Sequence, residues 1–116
     1  MANAAMMIGW DRVVVGREKQ ALELFNESLT FYGKLVNDKK LESFEPVLMA
    51  AHGGDMNGFI LLRGTAQQID AVRRMPQFES MMVRGEHYLE GVGALDAYVG
   101  DGLSRIMEIY QNTISK

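Results

Sequence analysis

The stretch FEPVLMAAHGGDMNGFILLRG, residues 44–64, sets one of the chain's two histidines, His52, beside two glycines and an aspartate between two apolar runs. Backbone amides of an HGG loop can stabilise a developing oxyanion. That chemistry needs a serine nucleophile on a GxSxG elbow, and no GxSxG occurs in the 116 residues. Glycine, Asp and Asn tolerate the positive φ angles that close hairpins, so HGGDMNG reads as a turn between two strands. The second histidine, His87, stands where a helical segment runs into the last apolar run. A neutral imidazole there can take or give a proton. Glu86 and Glu90 flank it at intervals that need not converge on a metal. With no cysteine in the chain, disulfides, thiolate metal sites and cysteine nucleophiles are excluded. No metal site and no cofactor is expected.

Two other groups could form a binding site. Trp10, Asp11 and Arg12 place a charged pair beside the only tryptophan. Alternation along a strand sends Trp10 and Arg12 to one face and Asp11 to the other, and a buried charge there would need Glu90, Asp96 or Arg63 as counterion. Gly91 and Gly93 alternate with Val92 and Ala94, so one face of that segment carries no side chains. The space they leave permits close packing of a helix, or a cavity bounded by Trp10, Tyr32, Tyr88 and several of the nine methionines, suited to a flat apolar molecule.

The elements that must position these residues follow from period and punctuation. Residues 6–15, MMIGWDRVVV, are apolar and β-branched and stop at Gly16, which predicts a first strand. From residue 17 to 39, Ala21, Phe25, Leu29, Tyr32 and Val36 recur at intervals of three and four, which predicts a long amphipathic helix. Residues 41–51 return to extended character, with Pro46 placing them at a sheet edge, and FILLR, residues 59–63, predicts a central strand covered on both faces. Thr65 with Gln68 forms a capping box for a second helix, and Pro76 forces a break or a fresh first turn before further helix to about Tyr88. Residues 89–99 predict the fourth strand, and Asp101 can cap a last amphipathic helix.

The order is β-α-β-β-α-β with an added C-terminal helix, an α+β domain with an antiparallel sheet in the split βαβ, ferredoxin-like arrangement. Two helices should cover one sheet face. Phe44, Met49, Val92, Ala94 and Tyr98 then cannot all be hidden, and an uncovered apolar face implies a partner, here a second copy. Residues 1–116 fit one domain. With 47% apolar residues, 23% charged and a net charge of -3, the composition is that of a globular protein. Arg73-Arg74 and Lys39-Lys40 are pairs and not patches, so no nucleic acid is expected as partner. No window reaches the roughly 18 apolar residues of a membrane span. The opening MANAAMMIGW lacks the basic and long apolar regions of a secretory signal, so the cytoplasm is the expected compartment.

The element order, together with the run PQFESMMVRGEHYLEGVGALDAYVG at residues 76–100, resembles the dimeric α+β barrel superfamily, which includes the antibiotic-biosynthesis monooxygenases. The resemblance implies a homodimer joined through its sheet faces and a pocket between sheet and helices. Its members catalyse different reactions, so the fold alone selects none of them. The expected function is a homodimeric small-molecule-binding domain. The alternative the resemblance offers is a cofactor-independent monooxygenase or isomerase acting on an aromatic or polyketide-like substrate. In it Trp10 and Tyr32 would stack the substrate beside Tyr88, Arg12 or Arg63 would stabilise an enolate, and His87 would move a proton. A module serving association alone is the remaining reading.

Overall fold

The computed structural model describes residues 2–114. Its elements are β1 (Ala4–Trp10), α1 (Glu18–Asn37), β2 (Ser43–Leu48), β3 (Gly58–Gly64), α2 (Ala66–Arg73), α3 (Pro76–Tyr88), β4 (Gly93–Tyr98) and α4 (Gly100–Ile114). The four strands form one antiparallel sheet in the order β2-β3-β1-β4. This is the split βαβ topology expected from the element order, with the second helix divided in two. Pro46 lies on the edge strand β2, where its missing N–H removes no bond from the sheet interior. Pro76 opens α3 in the first turn, where an amide would have no helical partner. The capping box closes as predicted: the Gln68 amide donates to Thr65 Oγ1 at 3.1 Å, and the Thr65 amide donates to Gln68 Oε1 at 2.8 Å.

Two strands are shorter than their apolar runs. β1 leaves the ladder after Trp10, and Val13 makes only an isolated bridge with Leu89. The chain beyond Trp10 pairs instead with the linker between α3 and β4: the Asp11 amide donates to the Glu90 carbonyl at 2.8 Å and the Glu90 amide to the Arg12 carbonyl at 2.7 Å. β4 starts only at Gly93, because Gly91 turns the backbone at φ 64°.

The core lies between one sheet face and helices α1, α2 and α3. Met6 and Ile8 of β1, Ile60 and Leu62 of β3, Leu24 and Leu35 of α1, Val72 of α2 and Phe78 of α3 are buried there. Strand register decides the other face. Phe44 pairs with Leu62 and Ala94 with Ile8, so both point toward the helices. Tyr98 pairs with Ala4 on that same side, at the end of the sheet, and Val92 precedes β4 and lies against Gly85 of α3. Of the five residues expected not all to be hidden, Tyr98 and Met49 are exposed, whereas Phe44, Val92 and Ala94 turn to the helices and do not make the association face. The outward face carries Val47, Phe59, Leu61, Met7 and Leu95, of which Leu95 is 61% exposed. The apolar run at β3 is thus covered on one face only. α4 is buried only at Gly102, and its stripe of Leu103, Met107, Tyr110 and Ile114 is exposed.

The HGGDMNG segment is an exposed loop, as the turn reading expects. His52 braces it locally, accepting the Gly54 amide on Nδ1 at 3.2 Å. The loop is anchored by Asp11, whose carboxylate accepts the Met56 amide at 2.9 Å. Of the two loop glycines, only Gly53, at φ 76°, needs a left-handed backbone. Gly91 is more constrained, since it combines a positive φ with a position where a Cβ would run into the Asp11 carboxylate. Gly91→Ala should therefore cost more than the roughly 1 kcal/mol of a strained φ alone. Thermal unfolding checks this; an unchanged melting temperature would mean that Asp11 needs no such space.

Candidate functional site

A cavity of about 250 Å³ lies between α1, α3 and the helix-facing side of the sheet. α1 contributes Glu18, Ala21, Leu22, Leu24, Phe25, Ser28 and Tyr32, spaced so that they share one side of the helix. α3 contributes Met81, Met82 and Gly85, and the sheet contributes Ile8, Trp10, Leu48 and Ile60. Val13, Leu89 and Val92, from the segments flanking the sheet, complete the lining. Exposed Glu18, Leu22 and Leu48 stand at its rim.

Trp10 ends β1 opposite Gly58 of β3. A Cβ at Gly58 would come within 2.7 Å of the indole, so glycine there makes room for the ring. The indole meets Phe25 edge-on, centroids 5.9 Å apart at 69°. Tyr32, only 2% exposed, packs against Phe31 and Phe44 with centroids at 5.4 and 6.2 Å. Burial pushes its phenol well above the ordinary value of 10.0, so it stays protonated. Ser28 has already committed its hydroxyl to the Leu24 carbonyl at 2.8 Å. Outside the cavity, Arg84 of α3 grips Glu27 of α1 through two bonds of 2.9 and 2.5 Å, fixing the two helical walls relative to each other. Arg84 holds the Glu27 carboxyl below the usual carboxylate range, so the clasp persists at neutral pH and is lost as pH falls through that lowered value.

Of the residues singled out in the sequence, the cavity brings together Trp10 and Tyr32. The other four lie elsewhere. His87 is exposed on α3, because it sits about 200° around the helix from buried Gly85. Arg12 is exposed beyond the end of β1. Arg63 pairs in register with Ala5 and Ser43, hence points to the outward face, where it meets Glu45 at 3.2 Å. Tyr88 packs against the core but does not line the cavity. The expected counterions of the Trp10-Asp11-Arg12 group also differ: Asp96 pairs with Arg73 at 2.7 Å, and Asp11 serves the loop amide. Among the described residues no three His, Asp or Glu side chains gather as a metal site. The lining residues that sequence reasoning passed over, Leu22, Ser28 and Leu48 among them, are ordinary apolar or small residues. Only the α1 stripe was open to detection, since Glu18, Ala21, Leu22, Phe25 and Ser28 share its spacing with Tyr32.

Together the sheet order, the helices on one face and the cavity beneath them define a ferredoxin-like α+β protein. Solved structures share this fold. A dimeric protein of unknown function and ferredoxin-like fold from Bacteroides fragilis superposes with a TM-score of 0.60 at 11% identity, over 83% of this chain and 96% of that one. A hypothetical Arabidopsis thaliana protein, determined in solution, gives 0.57 at 16% identity over 85% and 88%. At such identities the likeness shows the fold alone. No family model matches the chain, and no curated protein matches it in sequence.

The raised Tyr32 phenol has a consequence for stability. The unfolded chain releases this proton above about pH 10 while the folded chain keeps it, so stability present below that pH is lost as pH rises. Tyr32→Phe should unfold at a higher alkaline pH than the wild type, followed by circular dichroism. Coincident alkaline transitions would show that Tyr32 does not carry the effect.

Proposed function

We propose that the chain is a homodimeric domain that holds a small apolar molecule in the cavity between α1, α3 and the sheet. The observation that carries this reading is an apolar space walled by Trp10, Phe25, Tyr32 and two methionines, the composition of a ligand pocket. Methionine adapts to ligand shape, and aromatic walls give a flat molecule large contact areas. The catalytic alternative draws no support from the geometry. His87 and Arg12 lie outside the cavity, Tyr32 stays protonated, and the Ser28 hydroxyl is committed to the helix.

Dimerisation is supported by two unpartnered apolar surfaces, the outward sheet face and the α4 stripe. An isolated chain that exposes both would be prone to association, and a two-fold pair covers the same patch on each copy. Packing sheet against sheet would close the barrel-like interior that the α+β barrel reading implies. The Bacteroides fragilis neighbour, described as dimeric, agrees with this.

Naphthalene should produce a saturable change in the fluorescence of Trp10, the single tryptophan. Ala21→Phe, which fills part of the cavity from α1, should remove it. A linear response, or one unaffected by that substitution, would leave association as the sole role. Leu61→Asp, opposite Met7 at the centre of the outward face, should yield monomers in light scattering, because an unpaired buried charge costs about 3–5 kcal/mol. Retained dimers in Leu61→Asp would place the interface elsewhere.

A further inference from the structure

From the same cavity, and resting on the ligand-binding reading above, we infer that the site selects an uncharged apolar ligand carrying a hydrogen-bond acceptor, bound by the Tyr32 hydroxyl, and rejects the matching carboxylate.

The first ground is an unused donor. Tyr32 makes no hydrogen bond to any described residue, although its side chain is almost wholly buried. Its hydroxyl is not sealed among packed atoms either, since Arg84 Nε is the one described side-chain polar atom both sealed and unpartnered. Tyr32 lines this cavity. A phenol donates more strongly than it accepts, so its natural partner is a ketone, ester or ether oxygen. Burial raises the phenol above its ordinary range, so the donor is present at neutral pH.

The second ground is charge. The lining contains no Lys, Arg or His, and its single charged residue is Glu18 at the rim. The Glu18 carboxylate also accepts the Gly16 amide, at 3.1 Å to one oxygen, and so answers the positive end of α1 near the mouth. α3 lines the cavity through its middle, at Met81 and Met82, and through Gly85 in its last turn, where a helix carries partial negative charge. The Arg84 guanidinium is engaged by Glu27. An entering carboxylate would lose its hydration and meet no cation. Volume sets the size: a cavity of about 150 Å³ holds a benzene, so this one takes about ten non-hydrogen atoms, a bicyclic or a chain of that length.

Three ligands of about that size separate the possibilities: 1-tetralone, tetralin and 4-ethylbenzoate, a carboxylate with as many non-hydrogen atoms as the tetralone, each titrated at neutral pH against wild type and Tyr32→Phe, with Trp10 fluorescence as readout. Tetralone should bind the wild type and weaken about fivefold in Tyr32→Phe, the value of one neutral hydrogen bond. Tetralin should bind both within about twofold, and the carboxylate should bind at least about a hundredfold more weakly than tetralone, as the desolvation of an unpaired charge requires. Tetralone binding that ignores the Tyr32→Phe substitution, or carboxylate binding as tight as tetralone, overturns the selectivity while leaving the pocket in place. Failure of all three to bind overturns the ligand-binding reading and this inference with it.

Discussion

Everything at the site depends on the position of β1 in the middle of the sheet and on the residue it meets at its end. Register with β3 sets Met6, Ile8 and Trp10 on the helix side, one after another, and sets Trp10 against Gly58. A side chain at position 58 would push into the indole and into Leu48 together, from 2.7 and 2.9 Å. The ring would then swing into the cavity or out of the core. The same register sends Ala5, Met7 and Gly9 outward, so one pairing defines both the wall of the cavity and the surface left for association.

The cavity lies where α1 and α3 pass over the end of the sheet that carries Trp10. Phe78, Leu35 and Met6 fill one part of the helix-facing core. Toward Trp10 the clasp between Arg84 and Glu27 ties α1 to α3, and Gly85 admits Val92, whose methyl carbons would lie 3.6 and 3.8 Å from a Cβ there. Between those fixed points the side chains facing inward are too few to fill the volume. An apolar ligand seated there would take apolar lining out of water, at roughly 25 cal/mol per Å².

The outward face and α4 show the same economy. Among the described residues their apolar side chains have no cover, whereas Arg63 and Glu45, which share the outward face, are paired on the surface. Exposed ion pairs of this kind contribute little to stability. The Arg63–Glu45 pair keeps the β2–β3 side of the outward face polar while its centre, Met7, Phe59 and Leu61, stays apolar, the pattern expected of an association surface.

The sequence by itself determined the element order, the edge position of β2 through Pro46, the capping box at Thr65 and Gln68, and the turn character of HGGDMNG, because each rests on local backbone chemistry. It also pointed to Trp10 and Tyr32 by aromatic type and helical period. Tertiary structure alone decided which way the strands face. Alternation groups the side chains of a strand into two sets, and only pairing with a neighbour decides which set meets the helices: Phe44 follows Leu62, Ala94 follows Ile8 and Tyr98 follows Ala4. His87 and Arg12 looked chemical by type, yet a helix rotation of about 200° and a strand that ended at Trp10, short of Arg12, turned them to solvent. The cavity itself arises from what three separate elements fail to fill, and a missing volume has no local signature in the chain.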